Sequence, residues 1–122
     1  MYYNLFLDDI RNPRDVKWVN LPSVEWTIVR DYDEFVNVIK KQGVPTFIAF
    51  DHDLGPDHYN PSMYNKLHET FSERNGYDCA KWLVDYCMNR NLKVPKFAVH
   101  SMNPIGKNNI INYIESYKKS SE

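Results

Sequence analysis

Tyr3-Asn4-Leu5-Phe6-Leu7-Asp8-Asp9 decides the fold, because an apolar run of strand length ends abruptly in two acids. The pattern returns in Thr46-Phe47-Ile48-Ala49-Phe50 before Asp51, and in Lys96-Phe97-Ala98-Val99 before His100-Ser101. Near-continuous hydrophobicity, rather than alternation, is what a parallel strand covered on both faces requires. A fourth run, Glu25-Trp26-Thr27-Ile28-Val29-Arg30, alternates more and is predicted at the sheet edge.

Helix signals lie between the runs. Asp31 with Glu34 makes a capping-box-like start, and Phe35, Val38 and Ile39 keep helical spacing until Gly43 and Pro45. A second helix is predicted from near Gly76, with Ala80, Leu83, Val84 and Cys87 on one face. A third takes Asn103 as N-cap and Pro104 as its first residue, with Ile111, Ile114 and Tyr117 as its buried stripe. Residues 12–23 show no helical period and read as irregular. The long His52–Asn75 stretch reads as a binding loop or lid, with a short helix at Met63–Phe71. Strands alternating with helices give an α/β domain spanning residues 1–122. Its predicted architecture is a parallel sheet of about four strands with helices on both faces.

Composition narrows the function. The chain has 122 residues, the size of one domain, with Lys+Arg 15 against Asp+Glu 16 and a net charge of -1. No basic excess exists to release counterions, which excludes strong non-specific nucleic-acid binding but leaves room for a small anionic ligand. No apolar run reaches the roughly 18 residues of a membrane span, and the start has neither a basic region nor a cleavage site. Cys79 and Cys87 lie about two helical turns apart, too far for a disulfide. They read as buried thiols of a reducing, cytoplasmic compartment.

In an open parallel sheet, ligands bind outside the carboxyl ends of the strands, where strand order reverses. If the strands lie in the order 2-1-3-4, Asp8, Asp9 and Asp51 crowd into one crevice there. Packed carboxylates cannot all ionise unless a cation neutralises them. Oxygen donors without a cysteine suit Mg²⁺ or Mn²⁺ better than zinc. His52 stands between Asp51 and Asp53, and strand alternation would face it away from both. His58 and His68 read as surface or locally bonded residues. Tyr59, Tyr64 and Phe71 read as the long loop's own small core, with stacking on a base as the alternative. His100 precedes a helix N-terminus where the N–H groups of Ser101, Met102 and Asn103 offer an anion site, and a near-neutral imidazole there can transfer a proton.

Leu5-Phe6-Leu7-Asp8-Asp9-Ile10-Arg11 with Pro13, Phe50-Asp51-His52-Asp53-Leu54-Gly55, Gly76-Tyr77-Asp78 with Trp82-Leu83, and Val99-His100-Ser101-Met102-Asn103-Pro104 with Gly106 and Asn108 resemble the cyclic-phosphate processing receiver-like domain. The resemblance implies a flavodoxin- or receiver-like sheet in strand order 2-1-3-4 with a Mg²⁺ site at Asp8, Asp9 and Asp51. It puts Asp51 where a response-regulator receiver carries its phosphoacceptor and Ser101 at the receiver's Ser/Thr position. It also implies processing of cyclic phosphate ends or cyclic nucleotides. The pattern departs from ordinary receivers in carrying His100 and in showing no fifth strand with its lysine.

Three functions follow as expectations. One is a metal-dependent phosphoesterase, with a role such as RNA repair, acting on a phosphate-containing small molecule or an RNA end. In it Asp51, Asp53 and His100 are catalytic, Asp8, Asp9 and Asp51 hold the metal, and Ser101, Asn103, Arg11 and Asn108 bind phosphate. The second is a signalling domain phosphorylated on Asp51. The third is a non-catalytic module that binds a nucleotide or a partner.

Overall fold

The computed structural model describes residues 2–54 and 74–120 of the chain. The predicted helix at Met63–Phe71, and the side chains of His58, Tyr59, Tyr64 and His68, lie outside the described residues. Strands β1 (Asn4–Leu7), β2 (Thr27–Val29), β3 (Phe47–Phe50) and β4 (Lys96–Val99) form one all-parallel sheet in the order β2-β1-β3-β4. That is the predicted receiver-like arrangement, with β2 at the edge.

Each helix begins at a side-chain cap that satisfies otherwise orphaned N–H groups. At α1 (Tyr32–Gln42) the Asp31 carboxylate accepts the Glu34 N–H at 2.8 Å, while Glu34 accepts the Arg30 N–H at 2.7 Å. The helix stops at Gly43, whose φ of 90° favours glycine. Helix α2 (Gly76–Asn89) starts at a reciprocal capping box between Asn75 and Asp78. At α3 (Pro104–Ser120) the Asn103 side chain accepts the Gly106 N–H at 3.0 Å, as its predicted N-cap role requires. The buried stripe of α3 differs from expectation by one position. Ile110 and Ile114, one turn apart, are fully buried, and Ile111 and Tyr117 sit half-buried on the shoulder.

Strand alternation sorts the core into two faces. Leu5, Leu7, Ile48, Phe50 and Val99 pack with Phe35 and Ile39 of α1, Leu83 and Val84 of α2, and Ile110 and Ile114 of α3. Burying each such side chain stabilises the fold by roughly 1.5–3 kcal/mol. Phe6 and Ala49 point the other way, onto Val16, Val19, Leu21 and Trp26. Among the described residues that second face is covered by the 12–26 segment, which carries one 3₁₀ turn at Pro13–Asp15 and no α-helix, so the helices expected on both faces are described on one face only. No helix among the described residues is long and apolar enough to cross a membrane.

The ladder continues one residue past the strands. The Asp8 N–H donates to the Val29 carbonyl at 3.2 Å, the Asp51 N–H to Leu7 at 3.0 Å and the His100 N–H to Phe50 at 2.9 Å. These bonds set Asp8, Asp51 and His100 side by side at the carboxyl edge of the sheet, on the face of Phe6 and Ala49.

Candidate functional site

Asp8, Asp51 and His100 are 0%, 2% and 0% exposed, and one donor atom from each lies within 4.8 Å of the others. The two carboxylates divide their oxygens in the same way. Asp8 Oδ1 accepts the N–H groups of Ile10 at 3.0 Å and Arg11 at 2.8 Å. Asp8 Oδ2 turns to the crevice, 3.0 Å from His100 Nε2 and 3.4 Å from Arg11 Nη1. Asp51 Oδ1 accepts the His52 N–H at 2.9 Å. Asp51 Oδ2 is buried without a hydrogen-bond partner among the described residues, with Arg11 Nη1 4.0 Å away.

Their environments drive the two acids apart. Burial pushes the Asp8 carboxyl up, but the His100 ring and the N–H groups of Arg11 and Ile10 outweigh it and hold its pKa at about 2. Burial, followed by the neighbouring Asp8 charge, pushes Asp51 up to about 7 against the opposing His52 N–H and Arg11; Asp9 adds to the rise. Near neutral pH, one ionised carboxylate therefore stands beside one that is only partly ionised.

The close cluster holds His100 where the sequence reading placed Asp9. Asp9 is half-buried and follows Asp8 by one residue, where the pleat reverses side, although its charge still reaches Asp51. The His100 ring lies flat on Phe6, with centroids 4.7 Å apart, and its carbonyl accepts the Trp18 indole N–H at 2.7 Å. His100 is thereby fixed behind Asp8 instead of lining the cleft.

That cleft, about 350 Å³, is lined by Arg11, Asp51, Asp53, Ser101, Met102, Asn103 and Pro104. It gathers Asp51, Asp53, Arg11, Ser101 and Asn103 as expected, whereas Asn108 is exposed on α3 and is not part of the lining. A larger opening of about 730 Å³ borders Asn12 to Ile28 and contains none of the acids of the crevice. The anion site at α3 is smaller than expected, because the Asn103 N–H donates to Ser101 Oγ at 3.1 Å and the Gly106 N–H to the Asn103 side chain. Arg11, expected on a phosphate, turns inward onto the carboxylates. Its guanidinium lies 5.3 Å from the Trp18 ring centroid, with Nη2 3.9 Å from Met102 Sδ.

His52 departs from expectation. Its Nδ1 lies 2.9 Å from Asp53 Oδ1, because β3 has ended at Phe50 and strand alternation no longer governs the chain. The His52 ring rests against Gly106, where a Cβ would come within 2.3 Å of it. Gly76 is tighter still: its N–H donates to the His52 carbonyl at 2.7 Å, and a Cβ there would lie 1.8 Å from the Asp51 carbonyl oxygen.

Residue-by-residue reading also missed Arg30. Its Nη1 donates to the carbonyls of Asp8 at 3.2 Å and Arg11 at 2.7 Å, and its Nη2 to Asn12 Oδ1 at 2.9 Å. The Leu7–Val29 register puts Arg30 next to Asp8, so a cation ending the neighbouring strand was the signal. Trp18 and Phe6, which hold His100, gave no comparable signal.

The donor set fits a small divalent cation: among the described residues it has two buried carboxylates at the ends of adjacent strands, a buried oxygen left without a hydrogen-bond partner, and no thiolate. Comparisons with curated proteins and with solved structures returned no match. The family model of the cyclic-phosphate processing receiver domain matches residues 3–116, a span that takes in all four strands and every residue of the cleft. The chain therefore belongs to the cyclic-phosphate processing receiver domain family.

Proposed function

We propose that this domain is a metal-dependent phosphoesterase acting on a cyclic or terminal phosphate of a nucleotide or RNA end. The observation that carries the reading is the pair Asp8 Oδ2 and Asp51 Oδ2, one ionised and one lacking a hydrogen-bond partner among the described residues. Asp8 and Asp51 would hold Mg²⁺ or Mn²⁺, with Asp9 adding negative charge nearby. Such an ion, when bound, neutralises the acids and polarises a phosphoryl oxygen.

The rest falls to the chain's own groups. Arg11, the Ser101 hydroxyl and the Asn103 amide line the cleft and orient the phosphate. Asp53, held at 2.9 Å by His52 Nδ1, takes a proton from water as the water oxygen bonds to phosphorus. In a cyclic phosphate, the bond from phosphorus to one sugar oxygen breaks and that oxygen takes the proton back from Asp53, leaving a phosphomonoester. His100 touches no substrate; it positions Asp8. The buried, free thiols of Cys79 and Cys87 fit a reducing, cytoplasmic setting.

Incubation with MgCl₂ or MnCl₂ and a panel of 2′,3′-cyclic nucleotides and cyclic-phosphate RNA ends tests the reading. Turnover that EDTA and Asp51→Asn both abolish is the expected result. No hydrolysis of any member of the panel by protein that demonstrably binds Mn²⁺ contradicts it.

A second reading, phosphorylation of Asp51, is favoured by one observation: its buried Oδ2 lacks a hydrogen-bond partner among the described residues while Asp51 lines the cleft. An acyl phosphate formed from acetyl phosphate, and lost in Asp51→Asn, would select it.

A further inference from the structure

We propose that Arg11 is a built-in counter-ion, seated on the two carboxylates before the metal arrives and displaced by it, so that its guanidinium passes from the acids to the phosphate of the substrate. The proposal rests on the metal-site reading above and adds an order of events to it.

Arg11 Nη1 is shared by the two crevice oxygens, 3.4 Å from Asp8 Oδ2 and 4.0 Å from Asp51 Oδ2. Those are the oxygens a metal ion would need, since Oδ1 of each acid is already committed to backbone N–H groups. One neighbour must therefore yield. His100 is fully buried beneath Asp8 and stacked on Phe6, so it stays. The Arg11 side chain is 29% exposed, and its contacts with both acids are longer than a good charge-assisted hydrogen bond.

The geometry also says what moves. Arg30 grips the carbonyls of Asp8 and Arg11 and the Asn12 side chain, so the loop backbone is held. Only the Arg11 side chain is left to swing. Its guanidinium already borders the Trp18 ring, Met102 Sδ and the cleft shared with Ser101 and Asn103. A guanidinium released there has a planar fork suited to two phosphate oxygens. Metal and phosphate then favour each other's binding, because the cation that obstructs one becomes a ligand of the other.

Mn²⁺ titration by calorimetry at fixed ionic strength tests this on wild type, Arg11→Met, Arg11→Lys and, as a control for general charge, the exposed Arg14→Met, with thermal melts to confirm folding. Arg11→Met should bind Mn²⁺ about fivefold more tightly than wild type, the scale of a half-exposed ion pair removed. Arg11→Lys and Arg14→Met should stay near wild type. In wild type, Mg²⁺ should shift the Arg11 Nε–H resonance. Equal or weaker Mn²⁺ binding by Arg11→Met, with an unmoved Arg11 signal, overturns the displacement and leaves the metal site standing. Absence of Mn²⁺ uptake in every variant overturns the metal site and the displacement together. Uptake by Arg11→Met alone supports displacement in its strongest form.

Discussion

The imidazole of His100 lies on the ring of Phe6 with 4° between their planes and centroids 4.7 Å apart. Phe6 of β1 and His100, one residue past β4, thus build a fixed platform, and its outer edge delivers Nε2 to Asp8 Oδ2 at 3.0 Å. The platform is apolar below and polar above, and this lets a buried carboxylate remain ionised beside a second acid.

His100→Phe separates the two halves of that platform. The substitution keeps an aromatic ring over Phe6 but removes the donor to Asp8, costing about 1–3 kcal/mol of stability for the orphaned acceptor. The Asp8 pKa should climb from about 2 toward or above its ordinary value, as read by carboxyl carbon NMR. An unchanged Asp8 titration would show that His100 does not set the charge of Asp8.

Stability should depend on pH with opposite signs at the two acids. Asp51 has a folded pKa raised from 3.8 to about 7, so its contribution is complete below 3.8 and is lost as pH rises through about 7. The loss is on the order of 4 kcal/mol. Asp8, lowered from 3.8 to about 2, contributes above 3.8 and loses that contribution as pH falls through about 2. Metal-free protein should therefore weaken between pH 5 and 8 in urea denaturation, and millimolar Mg²⁺ should restore it at pH 8. Asp51→Asn should flatten that slope; identical pH profiles for wild type and Asp51→Asn would refute the assignment.

Gly76→Ala should cost about 2–4 kcal/mol, since the new Cβ meets backbone and not a movable side chain. Gly106→Ala should be milder in stability, because the His52 ring can retreat. Its effect should appear instead in turnover, as His52 loses its grip on Asp53. Chemical denaturation of both variants checks the ranking, and a Gly76→Ala variant as stable as wild type would show that the close approach at Asp51 relaxes at no cost.

Arg30→Met should lower stability by about 1.5–3 kcal/mol through the loss of charged hydrogen bonds to two carbonyls and an amide. Amide exchange should quicken at Ile10 and Arg11, whose N–H groups bond Asp8. Unaltered exchange there would mean that the loop is held without Arg30.

Much of this was readable from local pattern. The strand ends at Asp8, Asp51 and His100 and the cap at Asn103 follow from apolar runs and end signals in the chain, while the strand order came from the family resemblance. The partition of the site was less legible. That His100 backs Asp8 depends on Phe6 from another strand and Trp18 from an irregular segment, and neither spacing nor residue type announces such contacts. His52 turned toward Asp53 because the strand stops at Phe50, and strand ends are the least certain feature of any sequence pattern. Asp9 and Asp8 look equivalent in sequence; the pleat distinguishes them. Arg11 looked like a phosphate ligand and is found on the acids, since a side chain that long chooses among anions by geometry alone.

The most direct test of a divalent-cation site is an anomalous difference map from crystals soaked in Mn²⁺. A strong peak within ligand distance of both Asp8 Oδ2 and Asp51 Oδ2, absent from Asp51→Asn crystals, is the result expected. A map with no peak at that crevice, or with manganese bound only elsewhere on the molecule, would contradict the account.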